Sequence, residues 1–378
     1  MEKYSSITKI YMGRDALGPA IGQAQKVFVV CDPFMVSSGM IGYVTDFLGA
    51  HEIAYEVFSD IRPDPDIETV AAGMARILEF HPDHLVALGG GSAIDAAKAI
   101  VYFARKQGAI SDCPFTAIPT TSGTGSEVST FAVITDRAKK IKYPIVDDTL
   151  LPANAVLDAE LVLSVPPRVT ADCGIDVLTH AIEAFVASDR TDFSDAMAEK
   201  AIRLIYKYLL VVYKNPTDLE ARRRVHNASC MAGIAFANAG LGLNHAMAHA
   251  LGGEFHIPHG RANGILLPYV MSFNAGCSTQ LTETASRYAL IAELCGISSA
   301  TVRQSALNVI RTIRAWNGKM EIPPTIKAAG VSEADFYQKL PELVSHAAED
   351  KCMTTTPRPC TAEEIKQVFI NAFTGKLP

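Results

Sequence analysis

Histidines and an aspartate in the second half of the chain have the types and the spacing of metal ligands. Asp176 and His180 are four residues apart in a stretch of helical periodicity, so their side chains project from the same side of a helix. His245 and His249 repeat this spacing, and His259 follows ten residues later. Imidazole nitrogens combined with a carboxylate bind divalent transition metals. These residues predict a metal site built on helices.

The distribution of histidines supports a shared site. Six of the ten histidines lie between residues 180 and 259, and four of them fall within fifteen residues. A histidine taken singly is more often a core or surface residue, and we interpret His226 and His256 in that way. Spacing alone leaves open whether His245, His249 or both bind the metal.

Two glycine-rich segments follow apolar runs that are typical of buried strands. Gly89-Gly-Gly-Ser92 comes before a helical stretch, where backbone N–H groups and the helix dipole favour a phosphate. It is not a GxGxxG fingerprint, and a tight turn without a ligand is the alternative interpretation. Thr120-Thr-Ser-Gly-Thr-Gly-Ser126 is rich in hydroxyls and glycines. Two such turns at the carboxyl ends of strands favour a dinucleotide site.

Asp32 ends the first apolar run, Lys26 to Cys31. A carboxylate at this position accepts hydrogen bonds from an adenosine ribose and repels a 2′-phosphate, which favours NAD over NADP.

Helices and strands must position these residues, and their periodicities divide the chain near residue 160. Residues 1–160 alternate short apolar runs with helical stretches, the pattern of an open, mostly parallel α/β sheet. Residues 161–378 consist of long helical stretches, which predict an all-helical domain.

Composition and charge exclude several classes of protein. The 378 residues carry a formal charge of −6 without a basic stripe, so we expect no nucleic-acid partner. None of the eight cysteines forms a CxxC pair, which favours reduced thiols. No apolar run reaches the roughly 20 residues that a membrane span needs, and the N-terminus lacks signal-peptide features. We therefore expect a soluble, cytoplasmic protein without a membrane partner.

Four segments resemble, in the same order, the motifs of the iron-dependent (group III) alcohol dehydrogenases. The segments are Gly89–Lys98, Thr120–Val128, Gly174–Glu183 and Asn244–Asn263. The resemblance implies the dehydroquinate synthase-like superfold, in which an α/β Rossmann-like dinucleotide-binding domain precedes an all-α metal-binding and catalytic domain. It also implies that a short alcohol and its aldehyde are interconverted in the cleft between them.

The family resemblance also implies roles for individual residues. It implies a metal held by Asp176, His180, His245 and His259, with Fe2+ as the expected ion and Zn2+ as the alternative. It places His249 beside the site, near the nicotinamide and the substrate, rather than on the metal. Since imidazole is suited to proton transfer, we expect His249 to be a catalytic residue that passes the substrate proton to solvent. Around the NAD(H) cofactor it places Asp32, Gly90, Gly91, Ser92, Asp95, Thr120, Thr121, Thr124 and Lys142.

Two aromatic residues match positions that line the substrate pocket in relatives. They are Phe131 and Phe236, and an aromatic ring at 131 favours a plain aliphatic substrate, although a packing role is equally consistent. Residues 30–35 and 38–40 also resemble the propanol dehydrogenases of propanediol-utilisation microcompartments. That branch implies reduction of propanal to 1-propanol with NAD recycling inside a protein shell, with shell or enzyme partners. Family members often form dimers or larger assemblies, so we expect a homo-oligomer.

Two rival functions stay open. The first is a glycerol or diol dehydrogenase, or another carbonyl reductase of the same superfold, which would use zinc and a different ligand set. The four-residue set with both His245 and His259 argues against it. The second is a non-catalytic metal- or nucleotide-binding relative, such as a shell component. The retention of both glycine-rich turns and of His249 argues against that function.

Overall fold

The structure is a computed structural model that describes residues 4, 7–111, 113–137 and 141–377. The contacts between residues divide the chain into two compact units. The boundary between them lies between Ser164 and Val165. Lys142, one of the predicted cofactor residues, has its backbone in a strand, but its side chain lies outside the described residues.

The first unit is built on a six-stranded parallel sheet in which the strand order is β1-β8-β5-β4-β2-β3. A separate antiparallel pair, β6 and β7, lies outside this sheet. The strands are β1 Lys9–Met12, β2 Lys26–Cys31, β3 Ala54–Phe58, β4 His84–Gly89, β5 Phe115–Pro119, β6 Phe131–Asp136, β7 Ile141–Val146 and β8 Asn154–Leu157.

Helices cover both faces of the sheet, as the apolar runs require. In β2, Phe28 and Val30 face one hydrophobic cluster, whereas Val27 and Val29 face another, because successive side chains point to opposite faces. All six residues of β4 are buried, which is typical of a central parallel strand. The helices of this unit are α1 Leu17–Ile21, α2 Pro33–Ser37, α3 Gly42–Ala50, α4 Ile67–Phe80 and α5 Gly91–Lys106.

The second unit is helical throughout the part that the structure describes. The long helix α6 lies at its centre and packs against α7, α8 and α10, so most of its side chains are buried. The helices are α6 Pro167–Val186, α7 Asp192–Lys214, α8 Leu219–Ala239, α9 Leu243–Phe255, α10 His259–Ala275, α11 Glu283–Leu294, α12 Val302–Lys319, α13 Glu333–Glu349 and α14 Ala362–Thr374. Short 3-10 turns occur in both units, including Lys351–Thr355.

The predicted fold class, a parallel α/β unit followed by a helical unit, is confirmed. Strands β2, β4 and β5 lie at the apolar runs that precede Asp32 and the two glycine-rich segments, as predicted. Strands β1 and β8 and the β6–β7 pair were not predicted from the sequence. Among the described helices, none combines the length and the apolar character that a membrane crossing requires.

Candidate metal centre and glycine-rich turns

Three helices of the second unit bring four of the predicted ligands together. Asp176 and His180 lie one turn apart on α6, His245 lies in the first turn of α9, and His259 is the first residue of α10. One potential ligand atom from each residue lies within 4.8 Å of those from the other three. Oδ1 of Asp176 is 3.5 Å from Nε2 of His259 and 3.8 Å from Nε2 of His245.

These distances fit a divalent transition metal. Ligand atoms about 2.1 Å from a tetrahedral ion lie about 3.4 Å from each other, close to the observed separations. The side chains of Asp176 and His245 are buried, whereas that of His259 is 42% exposed. The cluster is therefore closed on one side and open at His259, as a site needs if a small molecule is to reach the ion.

Burial sets the electrostatics of this cluster. Desolvation raises the pKa of Asp176, which works against its charged form. Desolvation, reinforced by the neighbouring histidines, holds the pKa of His245 well below its usual range, so its imidazole is neutral. Neutral imidazoles and a carboxylate are the forms that bind a metal, and a cation would offset the cost of burying the carboxylate.

Glu183, three residues after His180 on α6, was not predicted from the sequence to be a site residue. Its carboxylate accepts backbone hydrogen bonds from Asn244 at 2.8 Å and from His245 at 3.2 Å, at the start of α9. It also contacts Nδ1 of His245 directly. Burial raises the pKa of Glu183 to about 8, and the backbone donors oppose that rise. A metal-binding histidine usually makes such a contact with a carboxylate, which fixes the ring and its tautomer.

Asn263, one turn after His259 on α10, lies among the ligand atoms. Its amide nitrogen donates to Oδ1 of Asp176 at 2.7 Å and lies 3.2 Å from Nε2 of both His245 and His259. Its oxygen accepts a hydrogen bond from Asn244 at 2.8 Å. The residue orients the aspartate by donating to one carboxylate oxygen.

His249 lies beside this cluster and has a different partner. Its Nδ1 is 2.8 Å from Oδ2 of Asp350, and its ring stacks on that of His259 with centroids 5.3 Å apart. Phe236 on α8 is buried, and its ring stacks on that of His180 at 4.6 Å. Its predicted role in the substrate pocket stays a prediction, since this stacking is also a packing contact.

His226 and His256 lie outside both candidate metal-binding groups found among the described residues. His226 is buried in α8, and desolvation lowers its pKa to about 4. His256 is exposed and adopts a left-handed conformation at the end of α9, with φ of 55°.

In the first unit, the two glycine-rich turns lie side by side. Gly89 pairs with Pro119 at the carboxyl ends of β4 and β5, and the Thr120 N–H donates to the Gly89 carbonyl at 2.9 Å. A Cβ on Gly91 would lie 2.7 Å from Cγ2 of Thr124, so the close approach of the turns requires glycine.

Further contacts join the predicted cofactor residues to these turns. A Cβ on Gly90 would lie 3.4 Å from Oγ1 of Thr121, and Ser92 lies in the first turn of α5. Asp32 caps α2 by accepting hydrogen bonds from the N–H groups of Phe34 and Met35. Its other carboxylate oxygen lies 3.2 Å from the Cβ position of Gly89. The structure thus brings Asp32 to the first glycine-rich turn.

Asp95 supports the second turn from α5. Its carboxylate accepts hydrogen bonds from the Ser126 hydroxyl at 2.6 Å and from the Val133 N–H at 3.1 Å. Lys98, one turn later and fully buried, donates to the carbonyls of Ser129 at 2.8 Å and of half-buried Phe131 at 3.0 Å. These contacts join the turn to α5 and β6, so a direct contact of Asp95 with the cofactor stays a prediction.

Comparison with known families gives matches over nearly the whole chain. Residues 8–159 match the model of iron-containing alcohol dehydrogenases, and residues 170–373 match the model of the C-terminal part of the same family.

Individual relatives give the same result. The 1-propanol dehydrogenase PduQ of Salmonella typhimurium is 43% identical, over 98% of this chain and 99% of its own. The NADPH-dependent butanol dehydrogenase of Clostridium saccharobutylicum is 38% identical over 99% of both chains. An iron-containing alcohol dehydrogenase structure from Thermococcus thioreducens has a TM-score of 0.90 at 33% identity, covering 99% of this chain and 100% of its own. Sulfoacetaldehyde reductase from Bifidobacterium kashiwanohense, solved in complex with NAD+, has a TM-score of 0.85 at 28% identity and covers 100% of both chains.

Proposed function

The chain belongs to the iron-containing alcohol dehydrogenase family, and we propose that it is an NAD(H)-linked, metal-dependent enzyme whose substrates are a short-chain primary alcohol and its aldehyde. Propanal and 1-propanol are the proposed pair, since PduQ is similar over the full length. The observation that carries the function is the convergence of Asp176, His180, His245 and His259 within 4.8 Å.

These four side chains would hold Fe2+, and zinc is the alternative because a set of three nitrogens and one oxygen accepts either ion. When bound, the metal supplies a Lewis acid that polarises an alcohol or carbonyl oxygen, and NAD(H) supplies the acceptor or donor of the hydride. Residues 161–378 form the proposed metal-binding and catalytic domain, and residues 1–160 the proposed dinucleotide-binding domain.

The chain's own residues have the following proposed tasks. Glu183 and Asn263 hold the ligands in place, through Nδ1 of His245 and Oδ1 of Asp176 respectively. The exposed His249 passes a proton between the substrate oxygen and solvent, for which imidazole is suited. Phe131 and Phe236 are the proposed apolar lining for the alkyl chain.

The cofactor would lie on the paired glycine-rich turns. The proposed contacts are with Asp32, Gly90, Gly91, Ser92, Asp95, Thr120, Thr121, Thr124 and Lys142. Asp32 supports NAD(H) over NADP(H), because its carboxylate would repel a 2′-phosphate. Asp32→Ser keeps an oxygen that can cap α2 but removes the charge, so kcat/KM for NADPH should rise relative to that for NADH. An unchanged ratio would contradict the role of Asp32.

Assembly and location are further parts of the proposal. We propose a homo-oligomer, a dimer or larger, and association with propanediol-utilisation microcompartments on the basis of the resemblance at residues 30–40. Light scattering after size-exclusion chromatography would measure the first. Co-purification with intact shells would measure the second, and a chain found entirely outside the shells would contradict it.

The central experiment is anaerobic NADH oxidation with propanal, using protein stripped of metal and then reloaded with iron(II) or zinc. We expect turnover to return with iron(II). His180→Ala should abolish turnover, whereas the matched variant His256→Asn should keep it, since His256 lies outside the cluster and asparagine tolerates its left-handed conformation. No turnover with either metal, despite tight NADH binding, would refute propanal as the substrate.

A further inference from the structure

The partner of His249 is a carboxylate from a distant part of the chain. Asp350 follows α13 and caps the 3-10 turn Lys351–Thr355. One of its oxygens, Oδ2, lies 2.8 Å from Nδ1 of His249, and the other accepts the N–H of Cys352 at 2.7 Å. The Asp350 side chain is 18% exposed, whereas that of His249 is 44% exposed.

Several contacts restrict the imidazole of His249. The ring lies nearly parallel to that of His259, with an interplanar angle of 17°, and it follows His245 by one turn of α9. A carboxylate at Nδ1 stabilises the tautomer whose proton is on that nitrogen. Nε2, on the opposite edge of the ring, is then left with a lone pair and can accept a proton.

We propose that Asp350 is a positioning residue that acts through His249 and prepares Nε2 to accept the substrate proton. This inference rests on the proposed function. In the oxidation direction the alcohol O–H proton moves to Nε2, and the hydride from carbon goes to NAD+. The imidazolium then carries a proton on each nitrogen, is stabilised by the carboxylate, and releases the Nε2 proton to water. Reduction of the aldehyde runs through the same transfers in reverse.

A second metal ion is the competing explanation for this group of side chains. Potential ligand atoms of His249, Asp350 and Cys352 lie within 4.8 Å of one another. Two observations favour the hydrogen-bonded arrangement. First, each carboxylate oxygen of Asp350 already has a hydrogen-bonding partner. Second, burial strongly raises the pKa of the Cys352 thiol, which works against the thiolate that a metal needs.

The decisive variant is Asp350→Asn in the metal-loaded enzyme. The asparagine oxygen can still accept the Cys352 N–H, so the turn is kept, but the amide group that faces His249 then donates. Nδ1 must accept in response, which moves the proton to Nε2. We expect kcat to fall by about 10²-fold, the lower range for a lost general base, while KM for NADH changes by less than about twofold. Glu349→Gln is the matched control, since Glu349 is the exposed neighbour that bonds to Ser345, and it should leave both constants unchanged.

A double-mutant cycle separates positioning from a structural role. If Asp350 acts through His249, Asp350→Asn should have no further effect on kcat in the His249→Ala background. If the losses in kcat of the two single variants instead multiply in the double variant, Asp350 acts independently of His249 and the proposal is overturned. A wild-type protein that binds two metal ions, and an Asp350→Asn variant that binds one, would show that the group is a metal site and would also overturn it.

The variants distinguish this inference from the proposed function. A wild-type enzyme without turnover refutes both. Full activity of the His249→Ala variant would refute proton transfer through His249, and with it the role of Asp350. A fall in kcat for His249→Ala together with an unchanged Asp350→Asn refutes the role of Asp350 alone.

Discussion

The carboxylate of Glu183 contacts Nδ1 of His245 and also accepts the backbone N–H of the same residue. One side chain therefore fixes both the start of α9 and the ring that α9 contributes to the metal cluster. Because Glu183 lies on α6, seven residues after Asp176, it joins the two helices that provide most of the ligands.

Replacing the carboxylate of Glu183 should weaken metal binding. In Glu183→Gln the oxygen can still accept a hydrogen bond from a backbone N–H, but the amide group that faces Nδ1 of His245 cannot accept one. This disfavours the tautomer that carries its proton on Nδ1 and binds the metal through Nε2. Changes of this kind cost about 10- to 100-fold in metal affinity. Competition with a chromophoric chelator would measure it. Glu199→Gln on α7 is the control, and equal affinities of the two variants would contradict the role of Glu183.

Gly91 should be intolerant of any side chain. In Gly91→Ala the new Cβ would lie 2.7 Å from Cγ2 of Thr124, so the two glycine-rich turns must separate. We expect KM for NADH to rise by about tenfold or more, since a misplacement of about 1 Å in a binding site costs up to about 10² in rate.

Two further variants test this explanation. Adding Thr124→Ser to Gly91→Ala removes the methyl group that clashes and should recover much of the loss. Gly49→Ala on α3 is the control, because nothing lies within 4 Å of its Cβ position. A Gly91→Ala enzyme that binds NADH normally would mean that the turns do not form the cofactor site.

Lys98 should be important for stability. It is fully buried, and its pKa falls to about 8 because of desolvation, which the nearby carboxylates of Asp95 and Glu127 oppose. Lys98→Met leaves these buried acids without their cation, and should lower the free energy of unfolding by about 3–5 kcal/mol. Urea denaturation would measure the change. Adding Glu127→Gln removes one of the two charges and should restore part of the stability; a double variant that is less stable still would contradict this explanation.

His84 should make stability depend on pH. Desolvation lowers its pKa to about 4 in the folded protein, from about 6.5 in an unfolded chain. Between these values the unfolded state binds a proton that the folded state does not, so stability falls as the pH falls. From pH 7.5 to pH 5 this single residue should cost about 2 kcal/mol.

Urea unfolding at the two pH values would measure the effect. His84→Gln should lose less stability on acidification than the wild type. Thr116→Val is the control, because it removes the hydroxyl 2.8 Å from Nε2 of His84 but no titrating group. It should lower stability at both pH values and leave the pH dependence in place. Equal pH dependence in wild type and His84→Gln would contradict the assignment.

The amino-acid sequence alone specifies the central strands and the long helices. Runs such as Val27 to Cys31 are apolar at every position, and only a strand covered on both faces buries them completely. It also determined that Asp176 and His180 share a helix face, because helical periodicity is a local property. Four-residue strands such as β1 and β8 have no such signal, since each depends on a partner: Lys9 pairs with Asn154.

How distant segments meet depends on the tertiary structure. Spacing could not choose between His245 and His249, because both lie on one face of the same helix. The packing of α9 on α10, together with side-chain contacts between its first turn and α6, places His245 beside Asp176. The turn after α13 brings Asp350 to His249. Contacts between residues that lie about a hundred positions apart in the sequence, such as that between His249 and Asp350, arise from the packing of whole helices. Local propensity does not encode them, so the charge state and the orientation of each histidine follow from the fold.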